Sequence, residues 1–356
     1  MQSARTAIHT TETTGTRPRR AVCFCLLLLC AAAIAGCSRT TEQLISGRTM
    51  GTTYHIKLIG RSAEMEPLKT LIDERLRQIN QSMSTYLADS EISRFNAMTQ
   101  VDAPFAVSAD FLRVMLTARE IHQLSRGAWD GTVNPLVTLW GFGTASPRNT
   151  IPAPAEIETA RATVGFDHIV VDVNGYLIKK HPHITLDLAS IAKGYAVDQI
   201  AILLRGLNYR DLLVEIGGEV YAAGLRPDKT PWRVGINQPA ADARPDAVYR
   251  VARLNNLAMA TSGDYRNFFE LNGRVYAHII DPRTGFPVQN GVVSVSVIAD
   301  NCGLADGLAT ALVVMGPEQG IALLNRLDGV EGLVIVKRSD GGLEEFWSAG
   351  ARAVIQ

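Results

Sequence analysis

Short turns that contain glycine separate pairs of apolar, β-branched segments at several places in this chain, and they restrict its possible folds more than any other feature. These turns are Asn174-Gly175, Gly217-Gly218 and Asn272-Gly273. Such dipeptides favour the left-handed backbone of tight hairpins. Strands joined so closely must run antiparallel, because a parallel pair needs a long crossover connection. The predicted strand pairs are Ile169–Val173 with Tyr176–Lys180, Leu212–Ile216 with Glu219–Ala223, and Asn267–Leu271 with Arg274–Ile279.

Helical and strand patterns alternate along the rest of the chain. Apolar residues recur at helical spacing from Leu68 to Met83, and Ser108 is a good N-cap for a helix through Gln123. Hairpins mixed with helices predict an α+β fold, with helices packed on a mixed, mostly antiparallel sheet in a single large domain at residues 46–356. The other predicted elements are helices at Ser190–Leu204 and Leu304–Met315, strands at Thr52–Ile59, Val292–Ile298, Leu333–Val336 and Leu343–Trp347, and a surface loop at Pro147–Pro154.

The first residues have the composition of an export signal. Arginines at 17, 19 and 20 precede an apolar run from Ala21 to Ile34, and Ala35-Gly36-Cys37 follows. The run is shorter than the roughly 20 residues that a membrane-spanning helix needs, and a small-residue cleavage site follows it as in a secretory signal. The terminal cysteine makes this site similar to a bacterial lipobox. We therefore expect a lipoprotein signal peptide at 1–36 and a tether at 37–45 with lipid on Cys37; the alternative is an ordinary signal with a chance cysteine.

Such a signal would place the mature protein in the bacterial cell envelope, lipid-anchored to the inner or outer membrane and facing the periplasm. Cysteine usage agrees with export, because Cys23, Cys25 and Cys30 leave with the signal and only Cys302 remains after Cys37. We expect Cys302 to pack as a small side chain beside a helix start. The formal net charge is zero, and the body has no stripe of lysine and arginine. Nucleic acid is therefore excluded as the main partner.

Two clusters of polar residues interrupt segments that otherwise have a buried pattern. Asp187 ends a strand pattern, and Lys193 lies early in the following helix. A strand-to-helix turn gathers backbone N–H groups and the positive end of a helix, which favours phosphate. Asp306 and Thr310 share one helix face and offer oxygen ligands that suit Mg²⁺ better than Zn²⁺. The alternatives are a surface aspartate that caps a helix beside a solvated lysine, and an Asp306–Thr310 pair that serves only its own helix.

Two further clusters contain a candidate base and side chains that suit a flat ring. His278 closes a strand pattern before a turn, where an imidazole with an ordinary pKa of about 6.5 can act as a general base. Met50 and Tyr86 are polarizable or planar and suit a flat ring, and the segment Gly127–Asp130 belongs to the same cluster. The alternatives are a structural histidine bonded to the backbone and ordinary core packing.

Together these clusters resemble the FAD:protein FMN transferase family, also called the ApbE-type family. The matching strings run in the family's order and cover nearly all of the chain after the signal. They are Met50-Gly51-Thr52, Ser90–Asn96, Gly127–Asp130, Asp187–Gly194, Ile216–Gly218, Ser262–Tyr265, His278–Pro282, and Asp306 with Thr310. The lipobox is also usual in that family.

The resemblance implies transfer of FMN from FAD to a threonine or serine hydroxyl of an acceptor flavoprotein, with Mg²⁺ required and AMP released. The acceptor would be a subunit of an exported or membrane-bound electron-transfer complex. The implied FAD contacts are Met50 and Tyr86 at the flavin, Ala128, Trp129 and Asp130 at the adenosine, and Asp187, Lys193 and Ile280 elsewhere. The implied Mg²⁺ ligands are the Ser190 carbonyl, the Asp306 carboxylate and the Thr310 hydroxyl. Trp129 departs from the family, in which phenylalanine is more usual.

His278 is the candidate catalytic residue that accepts the proton of the acceptor hydroxyl, and Asp306 is a second candidate for that role. One alternative is a Mg²⁺-dependent FAD pyrophosphatase, in which water replaces the acceptor. The other is a non-catalytic FAD-binding lipoprotein.

Overall fold

Antiparallel hairpins build the main sheet of the computed structural model, which describes residues 41–142, 150–240, 243–244, 247–263, 268–271 and 274–356. Within these residues, every ladder of the main sheet is antiparallel. The predicted α+β fold with a mostly antiparallel sheet is therefore confirmed. Across the sheet, the strands lie in the order β1 (Thr41–Thr49), β2 (Thr52–Gly60), β6 (Leu212–Ile216), β7 (Glu219–Ala223), β10 (Leu257–Ser262), β15 (Val292–Ala299), β16 (Glu331–Lys337) and β17 (Leu343–Trp347).

Smaller antiparallel sheets flank the main one. They are β3 (Pro104–Ala106), β5 (Tyr176–Lys179) and β4 (Ile169–Asp172), in that spatial order; β8 (Trp232–Asn237) with β9 (Val248–Leu254); β11 (Phe268–Leu271) with β12 (Arg274–Ala277); and β13 (Ile280–Asp281) with β14 (Phe286–Pro287). The predicted turn at Asn272-Gly273 lies outside the described residues, but the register on either side pairs Leu271 with Arg274.

The helices confirm the predicted periodicity and add several short elements. The longer ones are α1 (Met65–Met83), α3 (Ala109–Leu124), α6 (Ala189–Gly206) and α7 (Cys302–Met315), and each was predicted within a few residues. The Ser108 side chain accepts the Phe111 N–H, as expected for an N-cap. The helices that the sequence did not predict are α2 (Glu91–Ala97), α4 (Asn134–Leu139), α5 (Pro154–Arg161), α8 (Pro317–Leu324) and α9 (Ala351–Val354).

Both faces of the main sheet are covered by apolar packing. On one face, buried residues of α1, α3, α6 and α7 form the larger core with alternate strand residues such as Val214 and Val297. On the other face, β8 and β9 cover strand residues such as Val220 and Leu333. Strand β15 is consequently buried along its whole length, as expected where both faces of a sheet are packed. Residues Thr41–Gln356 form one compact unit.

Helices α6 and α7 approach each other closely at Gly194. A Cβ added there would lie 2.3 Å from the Cys302 carbonyl oxygen and 2.9 Å from the Asp306 Cβ. Cys302 is buried at the first position of α7, which confirms its predicted environment. The contact brings the first turns of both helices together, so the residues that follow Asp187 face those that follow Cys302.

The segment between the predicted anchor and the body requires a correction. Residues 41–45 were expected to belong to a tether, but Thr41–Thr49 is strand β1 and pairs with β2 from Thr41↔Gly60 to Thr49↔Thr52. Met50 and Gly51 form the connecting turn with φ of 50° and 72°, the left-handed backbone of a tight hairpin. Methionine is a rare residue at such a position, so the sequence did not reveal this hairpin.

Two other boundaries also differ. Val173 was predicted to lie in a strand, but Asp172 pairs with Tyr176, so Val173 belongs to the turn with Asn174 and Gly175. Pro154 starts helix α5 rather than ending a loop, consistent with the preference of proline for a first helical turn. Cys37 and the predicted signal lie outside the described residues. In the part of the chain that is described, no helix combines the length and apolar character that crossing a membrane requires.

The close contact at Gly194 predicts that even a slightly larger side chain at this position destabilises the protein. Gly194→Ala should lower the free energy of unfolding by about 2 kcal/mol, because the new methyl group overlaps a backbone carbonyl. Gly206→Ala is the matched control in the same helix, since no atom of the described residues lies within 4 Å of its added Cβ, and it should gain up to about 1 kcal/mol. Chemical denaturation compares the two, and equal stabilities would contradict the close packing of α6 on α7.

Candidate active site

Two cavities lie side by side and share part of their walls. Cavity A, of 850 Å³, lies between the β1–β2 turn, helix α1 and residues 84–87. Cavity B, of 460 Å³, lies between the Ala128–Asp130 segment, the first turns of α6, and residues of β10 and α7. Asp187, Ala189 and Lys193 line both cavities. The turn predicted to bind phosphate therefore forms the wall between the two spaces.

The Asp187 turn is held by the backbone on both sides. The Asp187 N–H donates to the Gly131 carbonyl at 2.7 Å, and the carboxylate accepts the Ala189 N–H at 2.9 Å. The alternative in which this aspartate caps the helix is thus partly correct. The half-buried side chain nevertheless lines both cavities and is available to a ligand.

Lys193 is paired inside the protein rather than solvated, which contradicts the second part of that alternative. Its ammonium lies 2.8 Å from Glu219 Oε1 and 3.9 Å from Asp306 Oδ1. Burial alone would lower the pKa of Lys193, but the Asp306 and Glu219 carboxylates outweigh burial and hold that pKa above its usual value. The side chain therefore remains positively charged at the junction of the cavities.

The two carboxylates around Lys193 are buried and short of partners. Asp306 is 3% exposed and accepts the Gly194 N–H at 3.0 Å. Glu219 is 4% exposed, and its Oε2 has no hydrogen-bond partner among the described residues. Burial raises the pKa of Asp306, while burial and the Asp306 charge raise the pKa of Glu219 to about 8. Two buried carboxylates therefore share one ammonium, and burial is the first cause of both raised pKa values.

The predicted metal ligands all line cavity B, which unites residues of two helices. Ser190 comes from the first turn of α6, and Asp306 and Thr310 from α7. The Thr310 hydroxyl lies 3.0 Å from the Ser262 hydroxyl, so Thr310 interacts beyond its own helix. No group of three or more His, Cys, Asp or Glu side chains within the described ranges could hold a metal ion. A cation here would therefore need hydroxyl, carbonyl and ligand oxygens as well.

The Ala128–Asp130 segment lines cavity B, but the Asp130 carboxylate is engaged within the protein. Its Oδ1 accepts the N–H and hydroxyl of Thr132, and its Oδ2 accepts the Phe166 N–H at 2.9 Å. Trp129 is buried, and its indole N–H donates to the Ser190 hydroxyl at 2.9 Å. Asp130 thus shapes the loop, and the Trp129 indole connects that loop to α6 through a donor that phenylalanine lacks.

His278 also lines cavity B, in the segment between β12 and β13, and Ile280 lines it two residues later. A small apolar cluster holds this segment in place. The Trp140 ring stacks on Tyr276 at 5.7 Å, and the Trp140 N–H donates to the Gly285 carbonyl at 2.9 Å. The half-buried His278 therefore has a defined backbone position at the cavity.

Met50 and Tyr86 line cavity A, as predicted for contacts to a flat ring. Tyr86 is 84% exposed, so its alternative assignment to the core is wrong. An exposed aromatic ring beside a cavity can stack on the flat ring of a ligand.

Sequence reasoning missed Glu219 and Ser262 as parts of the site. A signal for Glu219 was present, because it directly follows the Gly217-Gly218 turn and starts a strand that is otherwise apolar. Ser262 occurred only within a longer matching string, and Asp264 and Tyr265 of that string lie outside the described residues.

Comparisons with known proteins identify the family to which this chain is similar. The ApbE family model matches residues 50–334. An FAD:protein FMN transferase of Vibrio cholerae is 45% identical over 319 residues, covering 89% of this chain and 94% of the relative. One of Haemophilus influenzae is 41% identical over 319 residues, with coverage of 88% and 91%.

Solved structures show the same relationship. The flavin transferase ApbE from Vibrio cholerae superimposes with a TM-score of 0.81 at 42% identity, covering 88% of this chain and 99% of that one. The apo flavinyl transferase ApbE of Pseudomonas stutzeri gives a TM-score of 0.79 at 35% identity, with coverage of 89% and 97%. The resemblance seen in the sequence motifs is confirmed, and this chain belongs to the ApbE family.

Proposed function

We propose that this protein is an enzyme that transfers FMN from FAD to a hydroxyl of an acceptor protein and releases AMP. The relatives named FAD:protein FMN transferase, at 45% and 41% identity, support this reaction. One structural observation carries the proposal: two cavities meet at a wall that contains Asp187 and the ammonium of Lys193. The layout of FAD matches that of the two cavities, because a negatively charged pyrophosphate joins its flavin and adenosine halves.

The cavities match the two halves of the dinucleotide. The larger space, cavity A, has Met50 and the exposed Tyr86 in its walls and suits the flavin. Cavity B, with the backbone of Ala128–Asp130 and Ile280, suits the adenosine. The pyrophosphate then lies near Lys193 and the start of α6, where a positive charge and backbone N–H groups favour it.

The transfer needs alignment and charge stabilisation more than covalent help from the enzyme. The acceptor hydroxyl oxygen forms a bond to the FMN-side phosphorus, the bond from that phosphorus to the bridging oxygen breaks, and AMP leaves with that oxygen. Lys193 stabilises negative charge on the pyrophosphate oxygens. His278, which lines the same cavity as the start of α6, accepts the proton of the attacking hydroxyl.

The residues at the junction fit a magnesium ion. The site offers the Asp306 carboxylate, the Thr310 hydroxyl and the Ser190 carbonyl, which are the hard oxygen ligands that Mg²⁺ prefers. Two buried carboxylates share the single Lys193 ammonium, and Glu219 Oε2 has no hydrogen-bond partner among the described residues, which supports a place for one more cation. A bound Mg²⁺ would supply that charge and neutralise phosphate oxygens.

The signal peptide and lipobox predicted at Cys37 support a proposal for the setting of the reaction. We propose that the mature enzyme is lipid-anchored in the bacterial cell envelope and faces the periplasm, on the inner or outer membrane. Its acceptor would then be a flavoprotein subunit of an exported or membrane-bound electron-transfer complex, with a threonine or serine as the modified residue.

The reaction itself is tested by mass. The mature protein, FAD, Mg²⁺ and a threonine-bearing flavoprotein domain should give an acceptor that is heavier by one FMN, with AMP in equal amount. The same domain with alanine at the modified position is the control. Release of FMN and AMP at the same rate without acceptor would instead favour the FAD pyrophosphatase, and stable FAD binding without any turnover would favour a binding lipoprotein.

Loss of His278 should separate binding from transfer. His278→Ala should lower the transfer rate by roughly a hundredfold or more, because general-base help is lost, while FAD affinity stays close to normal. His183→Ala is the control, since that exposed histidine lines neither cavity A nor cavity B in the described structure. Single-turnover labelling and FAD titration measure the two quantities. Normal labelling by His278→Ala would remove it from the mechanism.

Loss of the Asp306 charge should remove the response to Mg²⁺. Asp306→Asn keeps the size of the side chain and an oxygen for the Gly194 N–H, but it should lower Mg²⁺-stimulated transfer by roughly a hundredfold. Asp228→Asn is the control, because Asp228 is exposed on a loop remote in sequence from both helices. The transfer rate of each variant is measured as a function of Mg²⁺ concentration. An unchanged curve for Asp306→Asn would refute the metal assignment.

A further inference from the structure

The string Ser90–Asn96 belongs to the family pattern, yet none of its residues has a role in the proposed binding of FAD or Mg²⁺ or in the transfer step. None of its residues lines cavity A or cavity B in the described structure. Its side chains instead make hydrogen bonds to segments that do line these cavities. Ser90 and helix α2 can therefore affect the cavities only by holding those neighbouring segments in position.

The start of the string holds the loop of cavity A. The Ser90 hydroxyl accepts the Ser93 N–H at 3.1 Å and donates to the Ser84 carbonyl at 2.7 Å. Ser84 begins the segment that continues through Tyr86 to Leu87 along the wall of cavity A. The N-cap of α2 thus also fixes the base of the loop that carries Tyr86.

The middle of the string anchors α2 to the body of the protein. The Glu91 carboxylate accepts the Ser108 N–H at 2.8 Å and the Ser82 hydroxyl at 2.7 Å, which ties α2 to α3 and α1. Ile92 and Phe95 are fully buried in the main core. Helix α2 is therefore a fixed support rather than a surface turn.

The end of α2 is held by a buried lysine. The Lys179 ammonium donates to the Asn96 and Met98 carbonyls at 3.1 and 2.7 Å. It also lies 4.9 Å from the centre of the Phe95 ring. These contacts satisfy the carbonyl groups at the helix C-terminus and fix the backbone from which the Asn96 side chain extends.

Asn96 bonds to both backbone groups of one residue next to the shared wall. Its amide donates to the Leu186 carbonyl at 2.8 Å and accepts the Leu186 N–H at 2.7 Å. Leu186 is buried, so neither backbone group has water as a ready replacement partner. The next residue is Asp187, which lines both cavities.

We propose that Asn96 is a positioning residue for FAD: through its paired hydrogen bonds to Leu186 it holds Asp187 in the wall between the two cavities. Helix α2 thereby links the Ser84–Leu87 loop at one end to the Asp187 turn at the other. This inference rests on the proposed function, since it assumes that the shared wall binds the dinucleotide.

A double-mutant cycle tests whether Asn96 acts through Asp187. FAD affinity is measured by flavin fluorescence, without acceptor, for the wild type, Asn96→Ala, Asp187→Ala and the double variant. Asn96→Ala should weaken FAD binding about tenfold, as expected when a buried pair of hydrogen bonds is lost. The double variant should bind no more weakly than Asp187→Ala, because coupled residues are not additive. Fully additive losses would overturn the proposal.

Steady-state kinetics should distinguish a positioning role of Asn96 from a general loss of protein stability. Asn96→Ala should raise the KM for FAD about as much as it weakens FAD binding, and leave kcat nearly unchanged at saturating FAD. Val114→Ala is the control, because Val114 is a buried residue of α3 that lines neither cavity in the described structure, so its loss should lower stability without altering FAD affinity. If Val114→Ala weakened FAD binding as much as Asn96→Ala, a merely structural role would be shown.

A second variant covers the case in which Asn96→Ala does not fold. Asn96→Asp keeps the acceptor for the Leu186 N–H but places a carboxylate oxygen against the Leu186 carbonyl, and it should also weaken FAD binding. Unchanged affinity in a folded Asn96 variant would overturn this inference alone. Failure of the wild type to bind FAD would overturn the proposed function, and this inference with it.

Discussion

The site depends on one buried arrangement of charges, in which the Lys193 ammonium lies between the carboxylates of Glu219 and Asp306. These groups come from α6, β7 and α7, so their pairing depends on how the two helices pack against the sheet. The close approach at Gly194 permits it, because any side chain there would displace the start of α7. Buried charges are costly unless they are paired, and here two buried carboxylates share one ammonium, with no hydrogen-bond partner for Glu219 Oε2 among the described residues.

Much of the fold could be predicted because local signals agreed with tertiary packing. The Gly217-Gly218 turn gave β6 and β7 with correct bounds, and the longer helices showed clear apolar periodicity. Strand β1 was missed for a physical reason. It is an edge strand with alternating exposure, and its turn uses Met50 in a left-handed conformation that sequence rules assign to glycine or asparagine. Short helices such as α2 depend on tertiary contacts more than on periodicity.

The site was predictable in outline but not in the role of each residue. Spacing placed Asp187 and Lys193 on one turn and Asp306 with Thr310 on one helix face, and the structure brings both pairs to cavity B. Spacing could not show that Glu219, more than twenty residues further along the chain, pairs with Lys193. Asp130 also illustrates the limit, because its carboxylate serves loop hydrogen bonds that only the folded chain reveals.

The most direct test of the account is a crystal structure of the mature protein with FAD and Mg²⁺. The pyrophosphate should lie beside Lys193 at the wall shared by the two cavities, with the flavin ring against Tyr86 in cavity A and the adenosine in cavity B. A flavin bound in cavity B, or a pyrophosphate far from Lys193 and Asp306, would contradict this arrangement.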